Sequence, residues 1–493
     1  MIERTRAMSR ILTVTALWVG FFLPLAGCGE DDARPPDQRR EPLVEVFTWW
    51  LAPGEAEAMQ ALIHAHVARH PEARIFNTAS KSALVLQDRL EQRLGLRDPP
   101  DLLQVTNREL ALMESRHPGS LEYLDDLFDA QGLRRVIFPE ALAQVVQAGH
   151  VVAMPVNLHR ENGLFYNKAL FEAQHLSPPT TIDELLSVCR KLKAAGVTPI
   201  ATARQGWILR MMLSSLVSGT MGATAYRNYF THASATGLTQ LRAAIDLLAE
   251  ILQNYINPDA GEEGFGWTNA AQTLFNGDAA MFFHGDWVRG YLIQLGWRPG
   301  IDFGVVAAPG APDLFVYLAD GLAIPKGARN IEGARELLAT AASPAGQVAF
   351  NRLKGSSPIR ADVPKGALDP LGQATLEDFE KARVRMRSPN PVQLDDAVMK
   401  FSADWNADAL LQALVDSRLE NEFPATSNDV GRRFACDARP GVGATACQIA
   451  PILDRIQSTM PHRSLMTNFD HVLRTRIKED PPQVLMWFRT DDS

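Results

Sequence analysis

Trp49 and Trp50 stand side by side at the end of an apolar run, and Glu55 follows a few residues later. Two indole rings and a carboxylate suit capture of a small ligand. The rings bury its apolar faces, and the carboxylate accepts hydrogen bonds from it. If the chain stays extended, the two rings point to opposite faces. Where it turns into a loop, both can face one cleft. Two core tryptophans are the alternative, and this segment leaves both readings open. A rival signal is His64-x-His66-x-x-x-His70, in which His66 and His70 share a helical face as zinc ligands can. No third ligand is evident nearby, so partly buried or exposed histidines are expected and no metal. A hydrolase needs two carboxylates flanking its substrate. Glu55, Asp286 and Asp320 could be cited, but a binding cleft uses the same residues without turnover, and the chain is read as a non-enzyme with no cofactor.

The elements that must position these groups follow an α/β pattern. Leu43, Val44, Val46, Phe47, Trp49 and Trp50 leave almost no polar face, which fits a strand of a parallel sheet covered on both sides. Pro53-Gly54 breaks it, and Met59, Leu62, Ile63, His66 and Val67 recur at helical spacing. Loops at strand carboxyl ends are where open α/β sheets bind ligands. Further on, Thr181 with Glu184 forms a capping box, and Ser343-Pro344 starts another helix. Ser80 to Leu94 and most of Trp207 to Ile256 read as helix. Leu102 to Val105, Val151 to Val156 continuing through Asn157 to Lys168, Val197 to Ala201, Ala279 to His284 and Asp302 to Ala307 read as strands, and strands alternating with helices indicate α/β architecture.

At 493 residues the chain is long enough for two or three lobes. A net charge of −8 argues against nucleic acid as a partner. Residues 1–28 read as a targeting segment: Arg4, Arg6 and Arg10 precede the apolar run Ile11 to Ala26, and the stretch ends Leu25-Ala26-Gly27-Cys28. That ending resembles the bacterial lipoprotein signal, which implies diacylation (palmitate among the acyl chains) at Cys28. Residues 29–42 are charged and Pro-rich, as a tether is. Cys436 and Cys447 lie close together in a Gly/Pro/Ala-rich segment and form a candidate disulfide in an exported protein. Cys189 falls on the apolar stripe of Ile182, Leu185, Leu186 and Leu192, so a buried free thiol is expected.

Five stretches in order carry a family resemblance: VFTWWLAPGEAEAM (46–59), PVNLHRENGLFYNKALF (155–171), AAMFFHGDWVRGYL (279–292), RPGIDFGVVAAPG (298–310) and FNRLKGSSPIR (350–360). Together they resemble an extracellular solute-binding protein of ATP-driven (ABC) sugar importers, family 1 type, and are similar to its periplasmic glucose-binding branch. The resemblance implies a two-lobe, type II periplasmic-binding-protein fold with a hinge and an interlobe cleft. It places the first lobe at 43–154 and 318–356 and the second at 155–317 and 357–422, leaving 423–493 as an extension of unknown role. It further implies a monomer, anchored by lipid in the bacterial cell envelope on the periplasmic or extracytoplasmic side. Such a chain binds a sugar, most simply a monosaccharide, and delivers it to ABC transporter permease subunits. The unmatched tail keeps a sugar sensor or surface lipoprotein as the alternative.

A pyranose has C–H-rich faces suited to aromatic rings and a belt of hydroxyls suited to charged and amide groups. By resemblance the ligand-binding residues are Trp49, Trp50, Glu55, Gln87, Asp286, Trp287, Asp320 and Lys354, with Asp320 and Lys354 facing one hydroxyl belt. Two departures matter. Gln87 stands where the family has a lysine, and Asn390 falls near an expected histidine. For Trp207 and Trp267, core packing is expected ahead of stacking on ligand.

Overall fold

The computed structural model describes residues 43–80, 82–231, 237–389 and 392–421. Cys28, the tether, Asn390 and the Cys436–Cys447 candidate lie outside the described residues.

The first strand, Leu43–Thr48, pairs in parallel with Arg74–Ala79 on one side and Leu102–Val105 on the other. Its Val44, Val46 and Phe47 are buried, as an apolar strand inside a covered sheet requires. Gly321–Ala323 adds antiparallel to Leu102–Val105, and Met154–Pro155 closes this five-stranded sheet. A second sheet runs Phe303–Ala307, Gly163–Asn167, Ala279–His284 and Thr198–Ala201. All six residues of Ala279–His284 are buried. Each sheet has its own core. Trp50, Met59, Leu62, Phe128, Leu337 and Phe350 belong to the first; Leu164, Leu213, Ile245 and Met281 belong to the second.

The helices start where local chemistry directs. Thr181 accepts from the Glu184 N–H while the Glu184 carboxylate reaches back, the expected capping box. Ser343 caps Pro344–Lys354 with proline in the first turn. Cys189 is free and buried, and burial pushes its thiol up to about 12.

A third, small sheet joins Val384–Arg387, Leu314–Leu318 and His159–Arg160. Leu314–Leu318 lies in the small sheet and Gly321–Ala323 in the first, so Ala319-Asp320 is a crossing. Residues 156–158 make the neighbouring crossing, tied to it by Val156 N–H donating to Asp320 O at 2.9 Å and Asp320 N–H donating to Asn157 Oδ1 at 2.8 Å. Ser357 exchanges backbone hydrogen bonds with Leu158 and supplies the third. One expectation needs correction. Ile359, Leu368, Leu376 and Phe379 pack in the first core, so residues 357 to about 380 do not go wholly with the second lobe. Phe379 packs on Phe138 and Phe315, which gives that stretch its apolar partners.

Candidate functional site

The tryptophan loop leaves the first strand at Trp49, whose backbone N–H donates to Gln104 Oε1 at 2.9 Å. Gln104 Nε2 then donates to Asp320 Oδ1 at 3.2 Å, so a buried amide links this loop to the crossing. Gly54, at φ 86°, ends the loop and starts the helix Glu55–Val67. A Cβ at Gly54 would meet Gly290 C at 2.5 Å, and one at Gly355 would meet Gly290 N at 2.5 Å. The helix Trp287–Gln294 of the second lobe thus lies directly on the backbone of two first-lobe turns. Only glycine permits that approach with the positive φ of Gly54 and Gly355.

That contact carries Glu55 to Lys354 at the end of Pro344–Lys354. Lys354 Nζ donates to Glu55 Oε1 at 2.7 Å, both side chains nearly sequestered from solvent, and lies 5.8 Å from the centre of the Trp287 ring. The expected facing of Lys354 and Asp320 takes a different form: Lys354 is bonded to Glu55. Asp320 instead accepts from Asn157 Nδ2 at 2.7 Å, from Gln104, and from His159 Nε2 at 3.2 Å. Burial alone would raise the Asp320 carboxyl; the bond and charge of His159, with Lys354 and Asn157, hold it down at about 2. Asp286 accepts from His159 Nδ1 in a short contact and from the Arg160 backbone N–H at 3.0 Å.

Above these groups stand partly exposed indoles. Trp287 meets the His159 ring edge-on at 5.0 Å, and Trp207 lies 6.4 Å from Trp287. Trp267 stacks on buried His284 at 5.6 Å, while Trp207 and Trp287 meet the same imidazole edge-on at 5.3 and 5.0 Å. His284 Nε2 has no protein partner, and burial lowers this ring's pKa to about 3, so it is neutral. Trp207 and Trp267 are half-buried members of an aromatic wall, and Trp267 also packs against the apolar cluster of Ala270, Leu274 and Phe282, as the core expectation has it. Trp49 is likewise half-buried. Trp50 differs: it is fully buried in the first core with its ring 4.9 Å from Phe350, and it offers no open face. The strand's core side takes this ring, the alternative left open by its sequence. Its Nε1 has no protein partner.

Glu55, Lys354, Asp320, Asp286 and Trp287 are thus brought together. Gln87 is half-buried on Ala83–Gly95, and none of the contacts above includes it. Gln104, Asn157 and His159 escaped sequence reasoning. A usable signal was present: Gln104 interrupts the apolar Leu102-Leu103-Gln104-Val105, and Asn157, His159, Arg160, Glu161 and Asn162 are five polar residues that are all buried. Buried polar groups need partners, and such runs mark networks.

The histidine motif holds no metal-ligand set. His66 Nδ1 meets Thr340 Oγ1 at 2.9 Å, His64 meets Gln60, and His70 faces Glu336 at 3.6 Å. Among the described residues, no three metal-capable side chains are placed to hold one metal ion.

Two α/β lobes joined by adjacent crossings, with polar groups and aromatic rings between them, define a ligand-binding protein. The chain belongs to the bacterial extracellular solute-binding proteins, whose family model matches residues 54–348. A probable sugar-binding periplasmic protein of Brucella melitensis is 28% identical over 76% of this chain and 87% of its own length. The xylose/arabinose-binding protein XacG of Haloferax volcanii is 28% identical over 68% of this chain and 73% of its own. Among solved structures, the bacterial solute receptor AcbH, described as preferring β-D-galactopyranose, aligns with a TM-score of 0.64 at 17% identity, over 78% of this chain and 98% of its own. The raffinose complex of the solute-binding protein RafE aligns at 0.62, with 17% identity, over 77% and 100%. At such identities the structural likeness speaks for the fold, and the family for an extracytoplasmic binding protein.

Proposed function

We propose that this chain is a lipid-anchored receptor that captures a sugar between its lobes and delivers it to the permease of an ABC transporter. The observation that carries the reading is the Glu55–Lys354 pair set under Trp287 beside Asp320 and Asp286. Charges buried this way are weak contributors to stability and are better explained by recognition. A pyranose ring fits their chemistry. Trp287 and Trp49 take its C–H faces, and Glu55, Lys354, Asp286 and Asp320 take its hydroxyls. Gln87 stands as a further contact from Ala83–Gly95, and Trp50 as the core support beneath Trp49. The minimal ligand is one pyranose, a monosaccharide. The sugar-binding and xylose/arabinose-binding relatives agree with this class.

Closure follows from the ligand touching both lobes, which shifts the population toward the closed form. The anchor is Cys28, acylated after cleavage of the leader, and its test is incorporation of labelled palmitate in the wild type and its loss in Cys28→Ala. The receptor reading is tested by thermal shift of the chain from residue 29 onward. The panel is D-glucose, D-galactose, D-xylose, L-arabinose, maltose and raffinose. A ligand bound only by the folded form raises the melting temperature with concentration. A saturable shift with at least one sugar supports the reading, and a flat response across the panel overturns it.

A further inference from the structure

His159 is fully buried, and each of its ring nitrogens faces a carboxylate: Nδ1 that of Asp286, Nε2 that of Asp320. These carboxylates come from different parts of the fold. Asp286 precedes the helix Trp287–Gln294 of the second lobe, and Asp320 lies in a crossing tied to the first-lobe strand through Gln104. The groups facing the imidazole are Asp286, Asp320, Lys354 and the amide of Asn157, with the edge of Trp287 closing the side. Lys354 is itself matched by Glu55. Two buried carboxylates would therefore stand without a full counter-charge if the ring were neutral.

The geometry makes the alternative costly. Without its second proton, Nε2 would turn a lone pair toward Asp320 Oδ2 at 3.2 Å. The donor left to it is the second hydrogen of Asn157 Nδ2 at 3.0 Å, whose first gives the shorter bond, 2.7 Å, to that same oxygen, so a neutral Nε2 accepts from the amide while its lone pair still faces a carboxylate. Asp320 N–H donates to Asn157 Oδ1 and so fixes which way the amide points. With both nitrogens protonated, each carboxylate receives a charge-assisted bond.

We propose that His159 is a positioning residue of the ligand site: doubly protonated, it donates to Asp286 and Asp320 at once and fixes both carboxylates in the rotamers that meet ligand hydroxyls in the closed form. This rests on the sugar-receptor reading above. Asp320 Oδ1 has only the Gln104 amide among its described partners, at 3.2 Å, and keeps a lone pair for a hydroxyl. Burial works against a charged ring here, but the charge of Asp286 and the bonds to Asp286 and Asp320 outweigh it and raise the pKa above its ordinary value. The raised pKa and the two facing carboxylates both favour the imidazolium, which is lost as pH rises, so ligand affinity weakens on the alkaline side and not on the mildly acidic side.

Two measurements test this. The first is nitrogen NMR of the sugar-free chain with labelled histidine, with His159 assigned through its backbone. Both ring nitrogens are expected to be protonated at about pH 7; a singly protonated ring there overturns the proposal whatever any variant does. The second is calorimetry with the sugar giving the largest thermal shift in the panel. The wild type should hold its affinity on the mildly acidic side and lose it as pH rises on the alkaline side. His159→Gln should bind roughly ten- to hundredfold more weakly and show no alkaline decline. A Gln variant that binds like the wild type overturns the positioning role. If no sugar binds, the receptor reading fails and takes the positioning role with it, whereas the spectrum independently reports the protonation of the ring.

Discussion

Single side chains divide here by whether they keep an open face. Trp50 is fully buried against Phe350, whereas Trp287 is half-buried between Lys354 and His159. Trp50→Ala should cost about 3–5 kcal/mol of stability by cavity formation. Trp287→Ala should weaken sugar binding by about 1–3 kcal/mol with little change in unfolding. Denaturant unfolding and calorimetry on the two variants separate the roles, and the reverse pattern would exchange them. Glu55 and Lys354 give a second test. Glu55→Gln leaves Lys354 buried without its counter-charge and should cost about 3–5 kcal/mol, with the double variant Glu55→Gln/Lys354→Met recovering most of it. Sugar binding should stay lost in the double variant; if it returned, the pair would be structural only. Glu55 was legible because it sits in one short stretch with the tryptophans. His159 and Asn157 were not, because their carboxylate partners lie 127 and 163 residues further along the chain.

At the scale of elements, the close approach at Gly290 joins the lobes through backbone. The helix Trp287–Gln294 touches the first lobe through backbone, with Gly54 on one side and Lys354-Gly355 on the other. Adding a methyl at Gly290 would bring it to 2.7 Å from Lys354 O. Gly290→Ala gains about 1 kcal/mol of helix propensity, so the lobe itself should stay folded. Closure should suffer: sugar affinity is expected to fall at least about tenfold, and small-angle scattering with sugar present should keep the larger radius of the sugar-free form. Compaction equal to wild type would mean that the contact is not needed for closing. The helices and their caps were largely readable, since a capping box such as Thr181–Glu184 is local chemistry. The division at Ala319-Asp320 is not local chemistry: the family resemblance puts a lobe boundary at 317/318, and the local residue pattern does not. Leu314–Leu318 and Gly321–Ala323 are equally apolar in sequence, and only their partners, Val384–Arg387 and Leu102–Val105, assign them to different sheets.

For the whole molecule, each lobe keeps its own apolar core, and several of the ties between them are polar. They include His159 Nε2 to Asp320 Oδ2 at 3.2 Å, Arg108 to Asp395 at 3.7 Å, and Arg289 Nη2 to Ser356 O at 3.2 Å. Opening therefore exposes little apolar core, and a bound ligand's added contacts are enough to set the balance. The order of the sequence motifs conveyed this two-lobe plan, but not the return of residues 357 to about 380 to the first core, which depends on Phe379 meeting Phe138. Acid should act on the fold itself through His284. Its folded pKa is depressed to about 3 by burial, below the ordinary 6.5 of the unfolded chain. The unfolded form therefore takes up a proton that the folded form refuses. The stability from this ring is full above about pH 6.5 and declines by about 1 kcal/mol per pH unit as pH falls toward 3. Unfolding midpoints measured from about pH 7 down to 5, before most carboxylates titrate, should fall in the wild type and fall less steeply in His284→Phe. Equal slopes in the two chains would mean that His284 is not the group that opposes protonation, and that the aromatic wall of Trp207, Trp267 and Trp287 admits a charged imidazole beneath it.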